Sequence, residues 1–154
     1  MNFADLLNPK AVKAVTTASS KKRLMHTIAD VAEAAYGISA QRAVEALMDR
    51  ESLGPTGVGH GVALPHARLD GVDSVVGVFM LLEKPIDFDS VDRQPVDVIF
   101  ALFAPENAGV EHLKALALVS RTLRDQSFCT KLRANPDAAT LHTIITEAAS
   151  VQAA

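Results

Sequence analysis

Two nearly continuous apolar runs, Val75–Leu82 and Val96–Phe103, place the strongest limit on how this chain can fold. Each has the length of a strand, and its apolar side chains follow one another instead of alternating with polar ones. This pattern is typical of strands that are covered on both faces by other elements. Both runs are far shorter than the roughly 20 apolar residues that span a bilayer. We therefore predict a buried central sheet and no membrane insertion.

Segments with helical periodicity flank the two runs and predict the layers that cover the sheet. Before them, Ser20 is expected to cap a helix that reaches Ala35 and stops at Gly37, and Ser39 a second helix to about Arg50. After them, a helix is predicted at Glu111–Arg124, and its inward-facing residues are Leu113, Leu116, Ser120 and Leu123. A short helix follows at Ser127–Arg133. The last helix has Asn135 as N-cap and Pro136 in the first position.

These elements predict an α/β (α+β) fold with a small central mixed β-sheet flanked by helices. At 154 residues the chain has the length of one domain, so we expect a single unit over 1–154 with its core at about 6–149. The net charge of −3 argues against a nucleic-acid surface. Met1–Pro9 contains no apolar core of signal-peptide length, and the single cysteine, Cys129, is expected to be a buried thiol. We expect a cytoplasmic protein.

The segment Thr56–Arg68 holds the densest set of residues that could take part in binding or catalysis. Three glycines at alternate positions allow sharp turns and close approach of a ligand or partner. A phosphate-binding P-loop and a dinucleotide-binding motif both need different spacings, so no nucleotide cofactor is expected. A short strand is predicted at Val62–Pro65, and His66 follows it directly. Because Pro65 restricts the backbone on both sides, the approach to His66 is stiff.

His66 and His112 are the two candidate reactive residues, although each could also be a histidine without a chemical role. A neutral imidazole can act as a base, a metal ligand or a nucleophile. His112 falls in the first turn of its predicted helix, where the helix dipole lowers the pKa of an imidazole and favours a nearby anion. If the two lie close together, an N–H of His112 would suit a phosphoryl group on His66.

The other polar candidates carry weaker signals. His60, His66 and His112 could form a metal triad, but no HExxH-like spacing accompanies them, so no metal is expected. His26 and His142 are predicted on solvent-facing sides of their helices. Arg50, Glu51 and Arg68 flank the glycine-rich segment; the arginines suit phosphate recognition, or surface ion pairs equally well.

The sequence resembles the mannitol/fructose-type enzyme IIA domains of the phosphoenolpyruvate-dependent phosphotransferase system, which include stand-alone nitrogen-regulatory enzyme IIA proteins. The resemblance covers most of the chain from about Leu6 to the last helix. It rests on Arg50-Glu51, Thr56-Gly57-Val58-Gly59-His60-Gly61-Val62-Ala63-Leu64-Pro65-His66, Pro95–Phe100, Leu102–Pro105 and Glu111-His112-Leu113. Pro55 departs from the small polar residue expected there.

The resemblance implies the mannitol-type enzyme IIA fold and a phosphohistidine intermediate. It implies that His66 is phosphorylated through Nε2, and that His112 and Arg50 stabilise the phosphoryl group. The donor would be the phosphocarrier protein HPr or its nitrogen-branch relative NPr.

Two functions therefore remain open. A regulatory phosphoprotein would change its partners when His66 is phosphorylated, whereas a sugar-specific component would pass the phosphoryl group to a IIB domain. The sequence given shows no IIB or IIC region, which favours regulation of nitrogen or general metabolism. In both cases the chain is expected to act as a phosphotransferase.

Overall fold

The two apolar runs form neighbouring antiparallel strands at the centre of a sheet, β5 (Val76–Ile86) and β6 (Val96–Ala104). Phe79 lies opposite Phe100 in the register, and both side chains are fully buried. The computed structural model describes the backbone of residues 1–153 and the side chains of residues 1–148. The prediction of two strands covered on both faces is confirmed, and each strand begins or ends within a few residues of its expected limit.

Shorter strands complete the mixed sheet on both sides of this pair. They are β1 (Val12–Val15), β2 (Gly57–Gly59), β3 (Val62–Ala63) and β4 (His66–Arg68). β1 runs parallel to β5, while β3 and β4 lie one after the other along β6, both parallel to it. β2 pairs antiparallel with β3, so the six strands of the described residues follow the order β1-β5-β6-β3-β2, with β4 also on β6.

The expected strand Val62–Pro65 is wrong in one detail that concerns His66. The ladder along β6 is interrupted after Ala63, and His66 is the first residue of β4 instead of the residue after a strand. Pro65 has no N–H to donate to a ladder, which explains the interruption. Its carbonyl still accepts a hydrogen bond from the N–H of Leu102 (2.9 Å), so His66 is held in register on β6.

Helices cover both faces of the sheet, as predicted. They are α1 (Phe3–Leu6), α2 (Lys21–Tyr36), α3 (Ala40–Ser52), α4 (Val110–Leu123), α5 (Gln126–Arg133) and α6 (Ala138–Ala153), with a 3₁₀ turn at Pro9–Ala11. The hydroxyls of Ser20 and Ser39 cap α2 and α3, and Gly37 ends α2 in the left-handed conformation (φ 72°). Among the described residues, no helix is both long and apolar enough to cross a membrane.

The last helix begins later than the sequence predicted. Asn135 was the expected N-cap, but α6 starts at Ala138, and the carboxylate of Asp137 accepts the N–H of Thr140 (2.9 Å). His142 is half-buried instead of facing solvent, because α6 packs against α1. Its Nε2–H donates to the carbonyl of Leu7 (3.0 Å). Cys129 is buried on α5, as predicted.

The orientation of α4 differs from the predicted one and matters for the site. Leu113 was expected to face inward, but it is 63% exposed, whereas His112 is only 5% exposed. The helix is turned so that His112, Ala115 and Val119, at spacings of three and four residues, form the covered stripe. This places the imidazole of His112 against the sheet.

Candidate functional site

An open cleft of about 540 Å³ lies where α3, β4 and α4 meet. It brings together His66, His112 and Arg50, which the family resemblance implies as site residues. The rings of His66 and His112 are 5.6 Å apart between centroids and meet at 69°. The cleft is lined by Ala46, Asp49, Arg50, Leu53, His66, Ala67, Arg68, His112, Leu113 and Leu116.

His66 is half-buried, and its ring orientation is fixed by the backbone. Its Nδ1 lies 2.9 Å from the carbonyl oxygen of Leu64, and because a carbonyl only accepts, Nδ1 carries the proton. Nε2 of the neutral ring therefore has a free lone pair. Burial is the main cause that lowers the pKa of His66; the Arg50 guanidinium lowers it further, while the Leu64 carbonyl and Glu51 oppose the shift. His66 is thus neutral near pH 7.

His112 is held by a side chain instead of the backbone. Arg68 Nε–H donates to His112 Nδ1 (3.1 Å), so the proton of the neutral ring is on Nε2. That Nε2–H is buried and has no hydrogen-bond partner among the described residues. Burial, followed by the neighbouring His66 and Arg68, lowers the pKa of His112 to about 4. The direction agrees with the prediction, but its main cause is burial and not the helix dipole.

Glu51 links the end of α3 to His66 through the backbone. Its buried carboxylate accepts the N–H of Thr56 (2.9 and 3.0 Å) and its hydroxyl, and lies 3.4 Å from Lys21 Nζ. The Thr56 carbonyl then accepts the N–H of Leu64 (2.9 Å), and the Leu64 carbonyl accepts His66 Nδ1–H. A continuous set of hydrogen bonds therefore connects Glu51 to the ring of His66.

Arg50 lies at the edge of the cleft and also supports the glycine-rich segment. Its Nη1 donates to the carbonyl of Gly54 (3.0 Å), and the residue is partly buried. This contact fixes the guanidinium next to the opening where His66 lies. Such a fixed, planar cation suits an oxyanion that enters the cleft.

His60 does not take part in this cleft. It occupies the turn between β2 and β3 with φ 56°, followed by Gly61 with φ 79°, and these two left-handed residues are typical of a two-residue hairpin turn. Its carbonyl accepts Arg133 Nη2 (3.0 Å), and Arg133 also pairs with Asp97 (2.9 Å). No group of three or more potential metal-ligating side chains occurs among the described residues.

Two exposed apolar side chains line the cleft. Leu53 is 84% exposed and Leu113 is 63% exposed. Exposed leucines beside a polar site suit contact with another protein.

Two contributors were not assigned a role from the sequence: Arg68 as the partner of His112, and Glu51 as the anchor of Thr56. The position of Arg68 can be derived only once the strand His66–Arg68 is known. Residues two positions apart in a strand point to the same face, so Arg68 must share the face of β4 that His66 occupies. Glu51 offered no signal, because its burial depends on how α3 packs.

Comparison with known proteins identifies the family to which a chain with this fold and cleft belongs. Residues 5–148 match the family described as "Phosphoenolpyruvate-dependent sugar phosphotransferase system, EIIA 2", and the chain belongs to that family. The structure of a complex of enzyme IIA-mannitol and phosphorylated enzyme IIB-mannitol from Escherichia coli has the same fold (TM-score 0.76, 19% identity, 91% and 98% of the two chains covered). The expected mannitol-type fold is therefore confirmed.

Within the family the chain is similar to nitrogen regulatory members. It is 43% identical to the nitrogen regulatory protein of Bradyrhizobium diazoefficiens over 145 residues, 94% of this chain and 95% of that one. The crystal structure of the nitrogen regulatory protein IIA-Ntr from Neisseria meningitidis superimposes with a TM-score of 0.86 at 34% identity, covering 92% and 97% of the two chains. Fructose-specific relatives at 31–33% identity are more distant.

Proposed function

We propose that the chain is a phosphoryl carrier that accepts a phosphoryl group on His66 Nε2 from a phosphohistidine of HPr or NPr. The observation that carries this proposal is the hydrogen bond from His66 Nδ1–H to the Leu64 carbonyl, which leaves the Nε2 lone pair free. The lowered pKa keeps the ring unprotonated, so this lone pair is available near pH 7. The exchange takes place in the cytoplasm, within the one domain that the chain is expected to form.

The transfer step needs no further reactant. The Nε2 lone pair of His66 forms a bond to phosphorus while the bond from phosphorus to the donor imidazole breaks, and the electron pair of that bond returns to the donor nitrogen. Phosphoryl transfer passes through a loose transition state, in which the protein mainly positions the groups and stabilises charge. His66 would act as the nucleophile and the chain as a phosphotransferase.

His112 and Arg50 would stabilise the transferred group. The partnerless Nε2–H of His112 supplies a fixed donor close to His66, and the guanidinium of Arg50 supplies positive charge at the same opening. Donors that are fixed before the reaction need no reorganisation as the charge develops.

The output that we propose is regulation, including that of nitrogen metabolism. Phosphorylation adds close to two negative charges to a cleft that the exposed Leu53 and Leu113 line. A partner that binds these leucines would then distinguish the two states of His66. The higher identity to nitrogen regulatory relatives supports this function over sugar uptake.

A sugar-specific role, in which His66 passes the phosphoryl group to a IIB domain, is the second candidate. It is favoured by the shared fold with a mannitol IIA that was solved with its phosphorylated IIB. Binding experiments with wild type and His66→Asp can separate the two roles. Partners that respond to the added charge would support regulation, whereas transfer of phosphate from His66 to a fructose- or mannitol-type IIB domain would support sugar uptake.

Phosphorylation by phosphoenolpyruvate, enzyme I and HPr tests the site itself. We expect His66→Ala to abolish the incorporation of phosphate, because the nucleophile is lost. His60→Asn is the matched control, since asparagine tolerates the left-handed backbone of the turn, and it should be phosphorylated as wild type is. Acid-labile phosphate on the His66→Ala protein would refute the assignment.

A further inference from the structure

Arg68 is a surface arginine that contacts a buried histidine. It is exposed on β4, yet its Nε–H is directed at Nδ1 of the buried His112 (3.1 Å). No acidic side chain forms an ion pair with Arg68 among the described residues. The contact therefore orients the guanidinium towards an imidazole.

This contact decides which nitrogen of His112 carries the proton. A neutral imidazole has one N–H, and an arginine Nε–H can approach Nδ1 only when Nδ1 is unprotonated. The proton is then on Nε2, which is buried without a partner. A buried donor without a partner is unfavourable by about 1–3 kcal/mol. Another interaction is therefore needed to stabilise the Nε2–H tautomer over the Nδ1–H tautomer.

We propose that Arg68 is a positioning residue that fixes the Nε2–H tautomer of His112 and so presents an N–H donor to a phosphoryl group on His66. The role of that donor rests on the proposed function. The assignment of the tautomer does not. The positive charge of Arg68 also helps to keep the ring neutral, because it lowers the pKa of His112 and opposes the imidazolium form.

Two substitutions separate the hydrogen bond from the charge. In Arg68→Gln, the amide nitrogen occupies the same position along the side chain as Nε, so a donor to Nδ1 is kept while the charge is lost. In Arg68→Met a methyl group takes that position, and both are lost. Arg121→Met, an exposed arginine on α4, is the control for the removal of a positive charge elsewhere.

The tautomer is measured on the unphosphorylated full chain by ¹⁵N–¹H correlation spectra of the imidazole nitrogens. We expect the Nε2–H form of His112 in wild type, Arg68→Gln and Arg121→Met, and a mixture or the Nδ1–H form in Arg68→Met. The rate of phosphorylation by phospho-HPr should fall roughly tenfold in Arg68→Met, as on losing a group that orients a reactive histidine, with substantial recovery in Arg68→Gln.

Retention of the Nε2–H form in Arg68→Met, or an Nδ1–H form in wild type, would overturn the inference. Equal losses of rate in the glutamine and methionine variants would also overturn it, since charge alone would then explain the effect. A wild-type chain that shows the expected tautomers but accepts no phosphate on His66 would instead refute the proposed function and leave the assignment of the tautomer standing.

Discussion

The two histidines of the cleft are oriented by different kinds of partner. His66 donates to a backbone carbonyl, which is fixed by the sheet, whereas His112 accepts from the side chain of Arg68. The two Nε2 atoms are therefore complementary: that of His66 has a lone pair, and that of His112 carries a proton. Burial keeps both rings neutral, and it is the largest cause of the lowered pKa in each case.

The lowered pKa of His112 links the site to the stability of the fold. Its pKa is about 4 in the folded chain, against 6.5 for a free imidazole, so the unfolded chain binds more protons between these values. Stability should therefore fall as the pH decreases from 7 towards 4. For His112 alone the loss at pH 5 is about 2 kcal/mol.

His112→Gln removes this titration. Urea denaturation at pH 7 and pH 5 should show a smaller loss of unfolding free energy in the variant than in wild type, by about 2 kcal/mol. Both proteins keep the contribution of His66, which has the same sign, so the difference between them reports on His112. An identical loss in both proteins would show that His112 does not titrate in this range.

At the scale of the elements, the connection from α3 to β4 carries the site. Glu51, Thr56 and Leu64 are joined by hydrogen bonds that end at the ring of His66. The carboxylate of Glu51 is buried, accepts the N–H and the hydroxyl of Thr56, and lies 3.4 Å from Lys21 Nζ. Loss of its charge therefore removes a buried ion pair and weakens the hydrogen bonds to Thr56. Breaking a buried network of this kind is among the more damaging single changes.

Glu51→Gln is therefore expected to lower the unfolding free energy by about 3 kcal/mol and to slow phosphorylation of His66. Glu45→Gln, on the exposed face of the same helix, is the matched control and should change stability by no more than about 0.5 kcal/mol. Chemical denaturation and the phosphorylation rate measure the two effects. A variant as stable as the control would contradict the role given to Glu51.

Periodicity and capping residues predicted the long elements well, because local sequence determines them. Ser20, Ser39 and Gly37 fix helix ends whatever the tertiary context, and the apolar runs of β5 and β6 have no stable exposed alternative. Of the short strands, only β3 was predicted, within Val62–Pro65. β1, β2 and β4 could not be told apart from loops, since pairing with neighbouring strands defines them.

The rotation of α4 could not be predicted from the sequence either. Its apolar residues occur on more than one side, and packing against β6 selects the stripe that contains His112 and leaves Leu113 outside. The sequence therefore indicated three side chains that meet in the cleft, His66, His112 and Arg50, but not the burial of His112 or its hydrogen bond to Arg68.

Across the whole molecule, one surface contains both His66 and exposed apolar side chains. A donor protein that binds Leu53 and Leu113 would bring its own histidine close to His66. Interfaces between carriers that exchange a phosphoryl group must also separate, which a modest area allows.

Leu113→Ser should weaken this docking without loss of the fold, because the side chain is 63% exposed. We expect kcat/KM for phospho-HPr to fall roughly fivefold or more, with thermal stability close to that of wild type. Val91→Ser, at 69% exposure in the loop between β5 and β6, is the control. Equal effects of the two substitutions would show that the border of the cleft is not a docking surface.

The position of the phosphorus atom decides whether Nε2 of His66 is the nucleophile. Chain with ¹⁵N-labelled histidine would be phosphorylated with phosphoenolpyruvate, enzyme I and HPr, and its ³¹P and imidazole ¹⁵N spectra recorded. We predict one phosphohistidine, with phosphorus bonded to Nε2 of His66 and the proton of that ring retained on Nδ1. Phosphorus on Nδ1 of His66, or on any other histidine, would contradict it.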